Sequence, residues 1–165
     1  MTIVNGTALL SKLPIKEMFA SKQREHGVSF GLAEAGYDIR IKQDIRFRPN
    51  GGNILTYLNG EQMGATRFVI ASAIEEFTMP EDLVGVVHDK STWARKGLSV
   101  FNTVIEPGFR GGLTLELVYH GNAPLHIPAG AGIAQVLFSK IENTAAYNGK
   151  YQNQSSDPVS AIFEG

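Results

Sequence analysis

An all-β fold is what this chain predicts, and three observations predict it. The 18 glycines and 7 prolines punctuate 165 residues often enough to suit many short strands. The apolar runs between them are of strand length and rich in Val, Ile, Leu and Phe. No long helical pattern separates those runs, so the strands must pack as a sandwich or a barrel.

The elements follow in order. Residues 8–22 are the best early helix candidate, with Leu9, Leu10, Leu13, Ile15 and Phe19 partly on one side and Pro14 starting or bending it. Short strands are expected at Gly36–Arg40 and Asp44–Arg48, closed by the turn cluster Pro49-Asn50-Gly51-Gly52-Asn53. From Arg67 to Ile74, alternation puts Phe68, Ile70 and Ile74 on one face and Val69, Ala71 and Ala73 on the other. Pro80-Glu81-Asp82 turns the chain into Leu83–Val87, a strand by its β-branched content. Ser91–Lys96 has room for one helical turn. Further strands are expected at Leu113–Tyr119, Leu125–Ile127 and Ile133–Phe138. The polar tail from Ile141 cannot build a core, so it frays or lies over another surface.

The totals exclude several classes. A content of 43% apolar and 19% charged residues describes a globular chain rather than a disordered one. A net charge of −1 gives no global attraction for nucleic acid or anionic membrane. The chain has no cysteine, hence no disulfide, thiol nucleophile or thiolate metal site. No segment resembles a signal peptide or a membrane span, so a cytoplasmic setting is expected. One domain over residues 1–165 is expected, with no linker or repeat dividing it.

Three segments carry candidate chemistry. In Leu113–Leu117, the leucines point one way while Thr114 and Glu116 point the other. Glu116 is then either solvated at a sheet surface or placed in a cleft, where desolvation would suit it to acid–base work. In Ser91-Thr92-Trp93-Ala94-Arg95, Ser91 can cap a turn, or the hydroxyls and Arg95 can face an anion beside Lys90 and Lys96. Both readings stand open. Glu106, before the turn Pro107-Gly108, is by itself an ordinary turn carboxylate, and Phe109 an ordinary core plug. His26, His88, His120 and His126 have no metal-ligand spacing, and Gln135 reads as structural. The zinc deaminase pattern, a Walker A loop and a Ser-His-Asp set are absent.

Taken together these segments resemble the dCTP deaminase branch of the dCTP deaminase and dUTPase superfamily. The resemblance rests on Lys90-Ser91-Thr92-Trp93-Ala94-Arg95, on Ile105-Glu106-Pro107-Gly108-Phe109-Arg110-Gly111, and on Leu113-Thr114-Leu115-Glu116-Leu117. Pro128–Gln135 and the tail Tyr147–Gln154 extend it, so that it covers roughly residues 36–40 and 67–155. It implies a distorted jelly roll of the dUTPase-like β-clip type with short helices, assembling as a homotrimer with shared active sites, a hexamer being left open. It implies a deoxynucleoside triphosphate substrate carrying Mg²⁺, no zinc, and no residue of the chain as a metal ligand. Nucleic acid and membrane are not expected partners.

The resemblance also assigns roles. Glu116 would activate water and pass its proton, with Ser91 and Arg95 ordering the catalytic site. Residues Lys90, Ser91, Thr92, Trp93, Ala94 and Arg95 would bind the phosphates. Thr114 and Leu115 would frame the base, while Glu106 and Phe109 would lie near the sugar. Tyr147, Lys150 and Gln154 would close over the triphosphate from the tail, residues 141–165. The implied reaction is hydrolysis of dCTP to dUTP and ammonia. Two departures keep dUTP diphosphatase, or a bifunctional enzyme, in view. The stretch Ser99–Val104 is two residues short, with Phe101 where many deaminases carry His, and Glu106 replaces the usual Asp. A non-catalytic nucleotide sensor is a third reading.

Overall fold

Fifteen short elements, thirteen of them strands, make up the computed structural model, which describes residues 1–165. They are α1 (Gly6–Lys12), β1 (Lys22–Glu25), β2 (Val28–Leu32), β3 (Tyr37–Arg40), β4 (Ile45–Asn50), β5 (Asn53–Leu58) and β6 (Glu61–Gly64). Then come β7 (Phe68–Thr78), β8 (Leu83–Asp89), α2 (Ser91–Ala94), β9 (Leu98–Val100), β10 (Val104–Ile105), β11 (Arg110–Tyr119), β12 (Leu125–Ile127) and β13 (Gly132–Lys140). They form three sheets, ordered β1-β2-β3-β13-β8-β10, β7-β11-β9 and β12-β4-β5-β6, with antiparallel ladders throughout. The inner faces meet in a cluster of 33 buried apolar residues, among them Ile39, Phe47, Phe77, Leu115, Leu117 and Phe138. The all-β prediction holds. No helix is long and apolar enough to cross a membrane.

The helix expected at 8–22 is only seven residues long, Gly6–Lys12. Leu13 adopts φ 51°, ψ 53°, a left-handed cap closed by its N–H on the Leu9 carbonyl. Pro14 then cannot continue the helical ladder, and the chain runs on extended, Ile15 bridging Phe77. Two hairpins lie outside the expected elements. β1 and β2 join through His26-Gly27, at φ 54° and 75°, and β5 and β6 join through Asn59-Gly60, at φ 49° and 80°. Both are left-handed pairs of the kind that closes a two-residue hairpin. Asn59-Gly60 is in itself a strong hairpin signal.

β7 shows the expected alternation. Val69, Ala71 and Ala73 are buried while Phe68 and Ile74 are exposed. The strand also runs past the expected end at Ile74 to Thr78. Glu75 can sit inside because the Arg40 side chain meets it, Nε donating to Oε1 at 2.9 Å, and the Arg40 backbone N–H donates to Oε2 at 2.9 Å.

Candidate active site

β11 is the central strand of the three-stranded sheet and β7 its edge partner, and the outward face of the pair is the floor of a cavity of about 580 Å³. Register places Glu116 opposite Ile70 and Thr114 opposite Ser72, after an irregularity between Gly112 and Thr114. Ile70, Leu113, Thr114 and Glu116 line the cavity from the sheet. Thr103, Val104, Ile105, Glu106 and Phe109 line it from β10 and the chain on either side of it.

The remaining wall is the tail. Asn153 donates its N–H to the Arg110 carbonyl at 2.8 Å, and Gly112 donates to the Gln154 carbonyl at 3.0 Å, so residues 153–154 lie parallel to the start of β11. The Gln154 amide returns to the Gly112 carbonyl at 2.8 Å. This approach is possible because Gly111 and Gly112 lack side chains. A Cβ on Gly111 would fall 2.7 Å from the Gln154 carbonyl oxygen, and one on Gly112 would fall 2.3 Å from that of Ser155. Further on, Ser72 Oγ donates to the Ser156 carbonyl at 2.8 Å and the Val159 N–H donates to Thr114 Oγ1 at 3.0 Å. Val159, Ser160 and Ala161 thereby face the cavity, with Tyr147, Tyr151 and Gln154 beside them.

Glu116 is the acidic residue that β11 brings to these walls. Its Oε2 is buried and has no hydrogen-bond partner. Burial pushes the carboxyl above the ordinary glutamate range, with only its own backbone pulling the other way. Buried polar atoms are normally paired, so an unpaired carboxylate oxygen beside a cavity singles Glu116 out as the candidate acid–base group of the site.

The cavity gathers six of the residues singled out in the sequence: Glu106, Phe109, Thr114, Glu116, Tyr147 and Gln154. Phe109 and Tyr147 meet edge to face at 6.0 Å. Leu115 is buried in the core and does not line the cavity, as alternation along the strand requires. Lys150 also stands outside, its ammonium on the Ile162 carbonyl and 5.4 Å from the Tyr151 ring. Residues 90–95 are elsewhere too. Ser91, Thr92 and Arg95 are exposed on α2 and its cap, Arg95 in no ion pair, while the Trp93 indole is buried and donates to the Gly132 carbonyl at 2.6 Å.

Phe68, Ile70, Thr103, Val104, Tyr151 and Val159–Ala161 line the cavity without having been singled out as site residues. The apolar members carry no chemical signature of their own. Only the small pair Gly111-Gly112, ready to admit a second backbone, hints at the tail's course.

Comparison with known proteins gives this geometry its context. A family model described as dCTP deaminase-like matches residues 62–141. The dCTP deaminase of Campylobacter hominis is 35% identical over 156 residues, covering 84% of this chain and 82% of that protein. The chain belongs to the dCTP deaminase family. The family's dCTP deaminase from Campylobacter concisus is 36% identical, with 88% of this chain and 89% of that protein covered. In fold the chain is similar to the dUTPase of Staphylococcus bacteriophage 80alpha, at TM-score 0.53 and 17% identity over 84% of this chain and 94% of the other. The EIAV dUTPase is similar at TM-score 0.52 and 18% identity, over 83% and 91%. The architecture is thus the dUTPase-like one that the sequence resemblance implies.

Proposed function

We propose that this cavity deaminates dCTP to dUTP and ammonia by hydrolysis, with Glu116 as the general acid and base and no zinc. The observation that carries the reading is the buried, unpartnered Oε2 of Glu116 in a family whose named relatives are dCTP deaminases. Glu116 takes a proton from water as the water oxygen bonds to C4 of the cytosine ring. The same carboxyl gives that proton to ring N3, then carries the second water proton from the new C4 hydroxyl to the amine as C4=O forms and the C4–N bond breaks, so that water and dCTP leave as dUTP and ammonia. A carboxyl raised by burial suits both halves of the task, since it gains and loses its proton closer to neutrality.

In this reading Thr114 and the backbone of Leu115 frame the base, and Glu106 and Phe109 adjoin the deoxyribose. Tyr147, Lys150 and Gln154 close from the tail, residues 141–165 of a single-domain chain. Ser91, Thr92 and Arg95 hold the phosphates, and Mg²⁺ enters as part of the substrate. Because those three residues lie off the cavity and Arg95 is without a partner, a neighbouring copy in a homotrimer supplies them.

A second reading has its own support. Glu106 lines the same cavity, and the similar folds are dUTPases. Glu106 would then orient water at the α-phosphate of dUTP, releasing dUMP and pyrophosphate. Chromatography of products formed from dCTP and from dUTP, each with Mg²⁺, separates the two. Deamination predicts dUTP from dCTP with dUTP itself untouched. Formation of dUMP from dUTP supports the second reading, and no turnover of either nucleotide overturns both.

A further inference from the structure

Lys90 has the type and position of a phosphate ligand, yet its ammonium points into the protein. Its side chain is 11% exposed, and Nζ donates to Asp38 Oδ2 at 2.6 Å and to Ser29 Oγ at 3.0 Å. Asp38 is 3% exposed in its side chain, and its other oxygen accepts the Gln135 amide at 2.9 Å. Ser29, Asp38 and Gln135 belong to β2, β3 and β13, so three strands of one sheet converge on one lysine. The backbone of Lys90 meanwhile starts the turn that carries Ser91 and Arg95, its carbonyl accepting the N–H groups of Trp93 and Ala94 at 3.0 Å each. The Trp93 indole fixes the same turn to the head of β13 through the Gly132 carbonyl. The turn is therefore oriented from below at two points, and both points are buried.

We propose that Lys90 and Asp38 are positioning residues for triphosphate binding, acting through Ser91 and Arg95, and that Lys90 does not itself hold phosphate. A buried ammonium with a carboxylate at 2.6 Å is already neutralised, and withdrawing it toward solvent would strand Asp38 without a cation. The charge that reaches the ligand belongs to Arg95, whose guanidinium is exposed and unpaired. This inference rests on the reading that the Ser91–Arg95 turn binds the substrate phosphates.

A double-mutant cycle on KM and kcat for dCTP tests it, with Arg95→Ala as the reference. Lys90→Met and Asp38→Asn are each expected to raise KM about tenfold while kcat moves less than about threefold. The double variant is expected to be no worse than the weaker single one, because the two side chains act as a unit. Lys90→Arg, which keeps a cation for Asp38, restores most of the affinity. If Lys90→Met raises KM and Asp38→Asn does not, or if the two losses multiply, the proposal is overturned. An unchanged KM in Arg95→Ala sinks instead the underlying assignment of the turn to phosphate. Should Asp38→Asn not fold, Ser29→Ala and Gln135→Met loosen the same carboxylate from two other sides. A KM rise in both supports the proposal, and no rise in either overturns it.

Discussion

Two glutamates on neighbouring strands are both desolvated, one inside an ion pair and the other without a partner for its buried oxygen. Glu75 on β7 is 5% exposed, and Glu116 on β11 has one oxygen wholly buried. Burial pushes both carboxyls above the ordinary range. Glu75, however, is answered by Arg40 at two atoms, and the Arg40 guanidinium is itself flanked by the Phe19 and Phe30 rings at 5.3 and 4.8 Å. Glu116 is answered by nothing. A raised pKa alone therefore does not mark a reactive carboxyl on this sheet. The missing partner is what separates the two, because a group already committed to an arginine cannot also exchange a proton with a ligand at little cost.

Substitution should pull the two apart. Glu116→Gln is expected to lower turnover of dCTP by about 10²–10⁴-fold while leaving triphosphate binding largely intact. Steady-state rates and a binding titration check this, and an unchanged rate would remove Glu116 from its role. Glu75→Gln should do the reverse. Removing the carboxylate leaves the Arg40 charge short of its partner and should lower stability by about 3 kcal/mol or more in a denaturant melt. Activity of the fraction still folded should persist.

Acidity sharpens the contrast. Glu116 binds its proton more tightly in the folded chain, so its contribution to stability is present below the ordinary value of 4.5. That contribution is lost as pH rises through the raised folded value. Glu116→Gln should therefore gain on the parent protein as pH rises, and melting curves at several pH values would show a gap that widens. For the same reason kcat/KM should fall on acidification with a midpoint above 4.5, and an acid limb at or below that value would contradict desolvation as the cause.

The smallest expected effect concerns the cavity wall. Gly112→Ala places a methyl where the Ser155 carbonyl lies 2.3 Å away, which should displace the tail and destabilise by about 1–3 kcal/mol. Loss of kcat/KM should accompany it, whereas Gly52→Ala, with open space around its Cβ, should change neither.

The two glutamates also mark where the sequence is legible. Alternation around Glu116 assigns its face correctly against the interior Leu115 and Leu117, but not against Leu113, which lines the cavity with Thr114 where the register breaks between Gly112 and Thr114. What stands opposite that face is set by residues 154–161, more than forty positions on in some pairs, and no local pattern encodes such a contact. Around Glu75 the pattern misleads. Glu75-Glu76 reads as the end of a strand, yet the strand continues because Arg40, thirty-five residues away, supplies the counter-charge. The seven-residue α1 fails for a local reason, since a left-handed Leu13 stops the helix one residue before Pro14. Lys90 is the subtlest case. Composition gives its charge, and only the fold reveals that the charge points inward.

The contact between Gly112 and Gln154, 42 residues apart, also sets a timetable. On a ribosome adding about 5–20 residues per second, the wall segment follows its strand by a few seconds. Until that segment is in place, β11 lacks the wall that residues 154–161 give its outward face. The cavity is thus the last part of the fold to be completed, closed only when the later stretch of chain lies down beside the two glycines.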